Sequence, residues 1–471
     1  MLATIRVRFA NGVYDNWFWE LLRSLVGVAW RMLRLLLPGS CVRSFAPACS
    51  TLSKVFEQQQ ECGHAEIHGW VVRSSKFSKM SFVRVHDGTS TRNVQIVVPK
   101  SVYKNVPVGA AIAVSGNWAK SRGAEQDMEL HAEQLRICAT DENPDYEQKS
   151  ADAIRQAVHL RARHPGFAAI MRLRSRLTIL THAFFEENDY VHIDTPVLTS
   201  NDCEGAGETF TVHAEKPDYF GVNKKMFLSV SSQMHLEAMT SGIPRVYTIG
   251  SAFRADIQPH SRTHLAEFRM LEAEVAFCET LTEICDVVEK YMLFILKGFA
   301  ALKGDVELAR SFAKEVSEPM KRLQPGLARF PRITYDEALA ILAKHEENID
   351  GRGLSKANEM FLAAHFGSPV FVTNFPIDQK PPTRSICSGR GLARWPAAGV
   401  REQDPDELMK RNAQPELAWY AELRRRGKPT SAGFGIGFDR LLQCHLGEPS
   451  IRDVIPFPRW YSPQGRINAQ C

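Results

Sequence analysis

The run RVYTIGSAFRADIQPHSRTHLAEFRMLEAEVAF, residues 245–277, carries the reading on which the fold of this chain turns. Its two ends are apolar and its middle is polar, which predicts strand, loop, strand. The loop and its edges supply Arg254, His260, Arg262 and His264. On the second strand a two-residue period sets Phe268, Met270, Glu272 and Glu274 on one face. A planar aromatic ring beside clustered cations suits a nucleotide, the ring stacking the base and a guanidinium forking onto phosphate oxygens. A solvated hairpin has the same composition, so this stretch alone leaves both readings open.

Further along, SAGFGIGFDRLLQCHLG (431–447) spaces Gly433, Gly435 and Gly437 along a strand and opens a helix at Phe438. Glycines let another group approach the backbone closely. Arg440 falls in the first turn of that helix, where the dipole also favours an anion. The alternative is a tightly packed strand–helix corner with a surface arginine.

Upstream, residues 65–139 alternate in short runs: HGWVV, SFVRVHDG, RNVQIVV, AAIAVSGNWA and MELHAEQLRI make five strands, the count of an OB-fold barrel. In SFVRVHDG the period puts Val83 and Val85 inward and Phe82, Arg84 and His86 outward; in NVQIVV it buries Val94, Ile96 and Val98 and turns Gln95 out. An outward Phe82 beside a cation is how single-stranded bases are stacked, though a phenylalanine covering an open barrel end reads the same way. A polar connector over 141–165 precedes Ile170, Leu173, Leu177, Leu180 and Phe184, whose spacing predicts an amphipathic helix. The rest alternates strands and helices, an α+β pattern, and 280–370 reads as helical filler.

The chain has 471 residues and a formal net charge of +5. Residues 1–54 carry six arginines and Lys54 against Asp15 and Glu20, so the body is balanced and any polyanion site in it is a local patch. From Met32, an alternative start, MLRLLLPGSCVRSFAPACSTLSK is basic, acid-free and rich in Ser, Ala and Leu, the composition of a mitochondrial transit peptide; a disordered tail is the other reading. Glu20, Arg23, Arg31 and Arg34 interrupt the apolar stretch before it too often for a membrane span. Ten scattered cysteines without metal spacing read as free thiols.

Several of these segments together resemble a known family. FRAD…HLAEFRMLEAE resembles motif 2 of class II aminoacyl-tRNA synthetases, GFGIGFDR resembles motif 3, and YVHIDTPVLTS (190–200) resembles motif 1 with its proline at the dimer interface. With the barrel in front, the resemblance is to the aspartate–asparagine–lysine subgroup; TSNDCEGAGETF and HLAEF.M.E.E are similar to asparaginyl-tRNA synthetases of mitochondrial or bacterial type. The resemblance implies an OB-fold anticodon-binding domain over 60–140, a linker over 141–165, and over 166–471 a catalytic domain with an antiparallel sheet flanked by helices. It implies a homodimer in the mitochondrial matrix, not at a membrane, that joins asparagine to tRNA(Asn) through an adenylate made from ATP with Mg²⁺. Arg254 is then the clamp on carboxylate and α-phosphate, Phe268 the adenine stacker, Glu267 its partner at the base edge, and Arg440 the γ-phosphate ligand; Asp256, Arg262 and His264 line the same ATP site. Glu204 and Gln233 match positions that hold the α-ammonium, and Glu272 and Arg401 those that read the amide. Phe82, Gln95 and Arg73 match positions that meet the anticodon.

The chain departs from the family in places. Asp256 replaces a usual Glu, Thr263 stands where a phosphate-binding Arg is usual with Arg262 one place earlier, and Ser75 replaces an Arg with Arg73 and Lys76 nearby. The largest departure is QKPPTRSICSGRGLARWPAAGVR (379–401), which has five basic residues and no acid. There the family has a strand and two carboxylates for Mg²⁺, so residues 382–399 replace the metal segment and predict a lost core strand. SGRG lacks the ending of a phosphate-binding P-loop. A mis-joined exon and a genuine paralogue both account for the segment; the paralogue would bind tRNA without ligase activity. An aspartyl-tRNA synthetase is the remaining alternative.

Overall fold

Strand alternation builds the N-terminal domain. In the computed structural model, which describes residues 51–468 except 59–61, 124–125, 145–153, 156, 201–208, 217, 223, 259, 313–328, 346, 348–352, 377–383, 389–396, 412–416, 449 and 463–466, five strands close a barrel. They are β1 (Gly63–Lys76), β2 (Met80–His86), β3 (Val94–Pro99), β4 (Ala111–Lys120) and β5 (Met128–Ala139), in the order β1-β2-β3-β5-β4. All pairs are antiparallel except β3 with β5. Val83, Val85, Val94, Ile96 and Val98 are buried, as their period predicts.

His86, expected outward, is instead buried, with the Trp70 ring centroid 6.1 Å away. Strand β2 ends where the barrel meets the C-terminal domain, so tertiary contact covers a position that the strand period leaves open. Burial holds this imidazole below its ordinary pKa. The expected start of the barrel domain at residue 60 also moves. Helix α1 (Leu52–Gln58) buries Leu52 and Val55 in the barrel core, and the Leu52 amide donates to Asp87 Oδ2 at 2.7 Å.

The segment expected as a linker over 141–165 packs in its second half. Ile154 joins the C-terminal core, Arg155 forks onto Asp453 at 2.8 and 2.6 Å, and buried Arg161 donates to the carbonyls of Arg452 and Pro456. A buried guanidinium has to find acceptors, and here they lie nearly 300 residues further on. Helix α2 (Pro165–Glu187) follows, started by the His164 ring accepting from the Gly166 amide, with Ile170, Leu173, Leu177 and Phe184 buried at the predicted spacing.

Past α2 come β6 (Val191–His192), a small sheet of β7 (Leu198–Thr199), β8 (Thr211–Val212) and β9 (Met226–Leu228), then helix α3 (Gln233–Met239). The main sheet continues with β10 (Arg245–Phe253), β11 (Glu267–Ala276), β12 (Arg332–Thr334), β13 (Val370–Thr373), β14 (Arg384–Ser388), β15 (Ala397–Val400) and β16 (Ser431–Gly437). Its order is β12-β13-β14-β15-β16-β11-β10-β6, antiparallel except for the pair at each end. Helices α4 (Leu281–Ala300), α5 (Lys303–Arg310), α6 (Tyr335–Lys344), α7 (Lys356–Phe366), α8 (Pro405–Arg411), α9 (Ala418–Arg425) and α10 (Phe438–Leu446) complete the domain.

The core strand expected to be missing is present. Arg384–Ser388 pairs with β13 (Val372 opposite Ile386) and with β15 (Ser385 opposite Ala398), so neither neighbour is left with an open edge on that side. Ladder bonds use the backbone, and any residue but proline supplies both groups.

Candidate functional site

The pairing of β11 with β16 makes a pocket floor. Glu272 lies opposite Gly435 and Glu274 opposite Gly433, so two carboxylates of one strand face two residues without side chains. Arg401, just past β15, reaches across Gly433 and forks onto Glu274, Nε 3.0 Å from Oε1 and Nη2 2.7 Å from Oε2. A Cβ on Gly433 would overlap the Glu274 carboxylate and stand 2.5 Å from Arg401 Nη2. Burial raises the Glu274 pKa and Arg401 opposes it; burial lowers that of Arg401, but the charge and hydrogen bonds of Glu274 outweigh it and leave it raised. Glu272 accepts from Ser231 Oγ at 2.5 Å and from the Ser232 amide at 2.7 Å. Gln233 is the next residue, first in α3, and its backbone amide donates to Ser231 Oγ at 3.2 Å, which sets it beside Glu272, while Arg401 reaches the same strand pair across Gly433. Glu204 lies outside the described residues.

One end of the same hairpin carries the predicted nucleotide residues. Phe253 pairs with Glu267, Ala252 with Phe268, and the Arg254 amide donates to the Ala266 carbonyl at 3.0 Å. The Arg254 guanidinium carbon stands 5.6 Å from the centre of the Phe268 ring, in cation–π range. His264 Nδ1 is 2.5 Å from Ser261 Oγ. Arg440 donates from Nε and Nη2 to the Thr263 carbonyl, at 3.2 and 2.9 Å, and Arg452 to the Ser261 carbonyl at 3.0 Å. These two arginines hold residues 261–263 against α10 and the turn after it. Asp256 is half-buried on the near arm of the loop; Arg262 and Glu267 are exposed.

On the barrel, the outward face of β1, β2 and β3 holds a separate patch. Arg73 lies opposite Arg84, Ser75 opposite Phe82, and Arg84 opposite Gln95. Gln95 Nε2 donates to Glu129 Oε2 at 2.9 Å, and Phe77 meets Phe82 edge to face at 5.4 Å.

Sequence reasoning missed several residues of these sites. Glu274 as the partner of Arg401 was signalled by its place two residues after Glu272 on one face. Asp439 stands beside Arg440; it is buried, receives Arg174 Nη1 at 2.5 Å and the Arg269 amide at 2.8 Å, and so pins α10 to α2 and β11. Nothing local marks Glu129, Glu237 or Lys428.

A divalent-metal site does not emerge. Among the described residues no three of His, Cys, Asp or Glu come together in a way that holds a metal ion, and the sequence has no carboxylate between Asp378 and Glu402. Glu402 Oε1 accepts from the amides of Gln403 and Asp404 at the entry to α8. Hard cations need carboxylate oxygens, so residues 379–401 offer no donor set that fits Mg²⁺.

A five-stranded barrel ahead of a largely antiparallel sheet that carries an arginine-bearing hairpin and a glycine-rich strand defines a class II aminoacyl-tRNA synthetase architecture. The family model for class II tRNA synthetases (D, K and N) matches residues 150–461, and that for the OB-fold nucleic acid binding domain matches 65–138. Within that class the chain belongs to the asparaginyl-tRNA synthetase family. It is 35% identical to the asparagine–tRNA ligase of Microcystis aeruginosa, covering 87% of this chain and 98% of that one. It is 36% identical to the asparaginyl-tRNA synthetase of Mus musculus, covering 91% and 97%. Among solved structures it is similar to the Pyrococcus horikoshii asparaginyl-tRNA synthetase complexed with asparaginyl-adenylate, with TM-score 0.76, 27% identity, and coverage of 87% and 97%.

Proposed function

We propose that this chain activates asparagine with ATP and transfers it to tRNA(Asn). The observation that carries the reading is the site made by Glu272 on β11, Arg401 just past β15 and the glycines of β16, with Phe268 on β11 as well. The asparagine side chain is an amide, donor at one end and acceptor at the other, so Glu272 takes its N–H and Arg401 gives to its oxygen. Gln233 and Glu204 take the α-ammonium. The α-carboxylate attacks the α-phosphorus of ATP and pyrophosphate leaves; two anions have to approach, and Arg254 neutralises both while holding them in line. Phe268 stacks adenine with Glu267 at its edge, and Arg262, His264, Asp256 and Arg440 surround the phosphates. The terminal adenosine hydroxyl of the tRNA then attacks the activated carbonyl and AMP leaves. Phe82, Gln95 and Arg73 meet the anticodon by stacking and edge contacts. No step here runs through Mg²⁺.

The test is asparagine-dependent ATP–pyrophosphate exchange, with Arg254→Ala and Arg440→Ala each expected to abolish it. Full exchange in either variant overturns its assignment. Exchange with aspartate in place of asparagine would make this an aspartyl enzyme. A second reading is favoured by the acid-free run 379–401: tRNA binding by a folded protein that shows no exchange would identify a non-catalytic member of the family.

A homodimer is supported by Val191, Val197 and Leu198, which are exposed at the β6 edge and just beyond it; light scattering on the purified chain tests it. Delivery to the mitochondrial matrix is supported by the basic, acid-free run 32–54, and import into isolated mitochondria with N-terminal sequencing tests that.

A further inference from the structure

Behind Arg401 the buried ionisable groups close a ring. From the Arg401–Glu274 fork, Ser431 Oγ donates to Glu274 Oε1 at 2.8 Å, and Lys428 Nζ donates to Ser431 Oγ at 2.8 Å. Lys428 Nζ stands 3.4 Å from Glu237 Oε1, and Glu237 Oε2 stands 3.9 Å from Arg401 Nε. Glu237 also accepts from the Tyr420 hydroxyl and from Arg424 Nη2. The Lys428 and Glu237 side chains are 0% exposed, Glu274 1% and Arg424 2%. Counting Glu272, the described residues of the site and its backing include three carboxylates (Glu237, Glu272, Glu274) and three cations (Arg401, Arg424, Lys428), all buried except Arg401, whose side chain is 14% exposed.

In such a place charge is weakly screened, and an unmatched charge is costly. Glu237 and Glu274 between them face all three cations, and with Glu272 counted, which lies on the same strand face as Glu274 and accepts from Ser231 and Ser232, cations and carboxylates are equal in number before any substrate enters. A neutral amide beside Arg401 preserves that balance, whereas a carboxylate finds no surplus cation and adds a negative charge. Arg401 alone does not select an amide, since a guanidinium pairs at least as well with a carboxylate.

We propose that Glu237, Glu274 and Lys428 are positioning residues whose summed charge sets the preference for a side-chain amide over a carboxylate at Arg401. The proposal rests on the asparagine-site reading above and deepens it. Glu237 and Lys428 act at one remove, through Ser431, Glu274 and Arg401, without touching the amino acid.

The test is direct titration of asparagine and of aspartate by calorimetry, which needs neither ATP nor metal, on the full chain and four variants. Glu237→Gln and Glu274→Gln each leave an unmatched cation, and each is expected to lower the asparagine-to-aspartate affinity ratio by about tenfold or more. Lys428→Met is expected to raise the ratio. The double variant Glu237→Gln/Lys428→Met restores the charge count and is expected to bring the ratio back toward wild type, whereas a merely structural role predicts that the two losses add. Thermal melts show which variants fold, and the Glu274→Gln single variant, nearly isosteric, carries the test if changes at Lys428 do not. Ratios that stay constant across folded variants, or that shift the same way for Glu237→Gln and Lys428→Met, overturn the proposal while leaving the site reading intact. A wild-type chain that binds neither amino acid overturns the site reading itself and the proposal with it.

Discussion

At the scale of single residues, burial decides which charges are costly. The Glu448 carboxyl is buried just past α10, and neither oxygen has a hydrogen-bond partner. Burial, aided by the nearby Asp453 charge, pushes its pKa up to about 8 from an ordinary 4.5. The folded chain therefore keeps this proton up to about pH 8, while the unfolded chain gives it up near 4.5, so this group's contribution to stability falls between those values and is level above them. Glu448→Gln is expected to melt like wild type at the acid end of that window and at a higher temperature at its alkaline end. Melts recorded across the range check this, and a constant difference would mean that the carboxyl ionises freely. The glycines of β16 make a second residue-scale contrast. Gly433→Ala drives a methyl into the Glu274–Arg401 pair and is expected to cost about 1–3 kcal/mol and to weaken asparagine binding. Gly435→Ala meets the mobile end of Met270 at 3.0 Å and is expected to be milder. Paired melting curves and asparagine titrations distinguish the two.

At the scale of elements, two segments changed their meaning once folded. Helix α1 begins inside a stretch whose composition suits a leader, yet Leu52 and Val55 belong to the barrel core. Relative to the full chain, the double variant Leu52→Ala/Val55→Ala is expected to lose about 3–6 kcal/mol with its two buried side chains. Equal denaturation midpoints for the two would remove α1 from the barrel. Strand β14 makes the complementary point. An acid-free, proline-flanked run still forms a ladder on both sides, so the sheet is complete even though the carboxylates are gone from this segment. Continuity of the sheet and metal chemistry are separable here, because one depends on backbone groups and the other on side-chain identity.

At the scale of the molecule, the barrel and the catalytic domain meet through directed polar contacts. Arg163 donates to the Gly109 carbonyl at 3.1 Å, and Arg172 donates to the Gly88 carbonyl while pairing with Asp305 on α5 at 2.6 Å. The proposed anticodon face and the proposed adenylate pocket lie on different domains, so damage to one is expected to spare the other. Phe82→Ala should weaken tRNA binding by about tenfold, the worth of one stacked base, and leave ATP–pyrophosphate exchange unchanged. Loss of exchange in that variant would contradict this division of labour.

Much of this was legible in the order of residues. Alternation located the five barrel strands and the buried Val94, Ile96 and Val98, and three- and four-residue spacing located α2; the motif segments named Arg254, Phe268, Glu272 and Arg440 as candidates, and the fold sets them on one hairpin and the helix that packs against it. Those signals are local: a strand or helix repeats its environment every two or every three to four residues, and the repeat is written in the chain. What only the tertiary structure decided involves partners far apart in sequence. His86 is inside because a second domain covers the end of its strand. The supposed linker is anchored because Arg161 finds carbonyls 291 and 295 residues away. The ring behind Arg401 joins Glu237 to Arg424 across 187 residues. A buried charge is tolerable only when its counter-charge and hydrogen bonds are built around it, and no local period states which distant residue that will be.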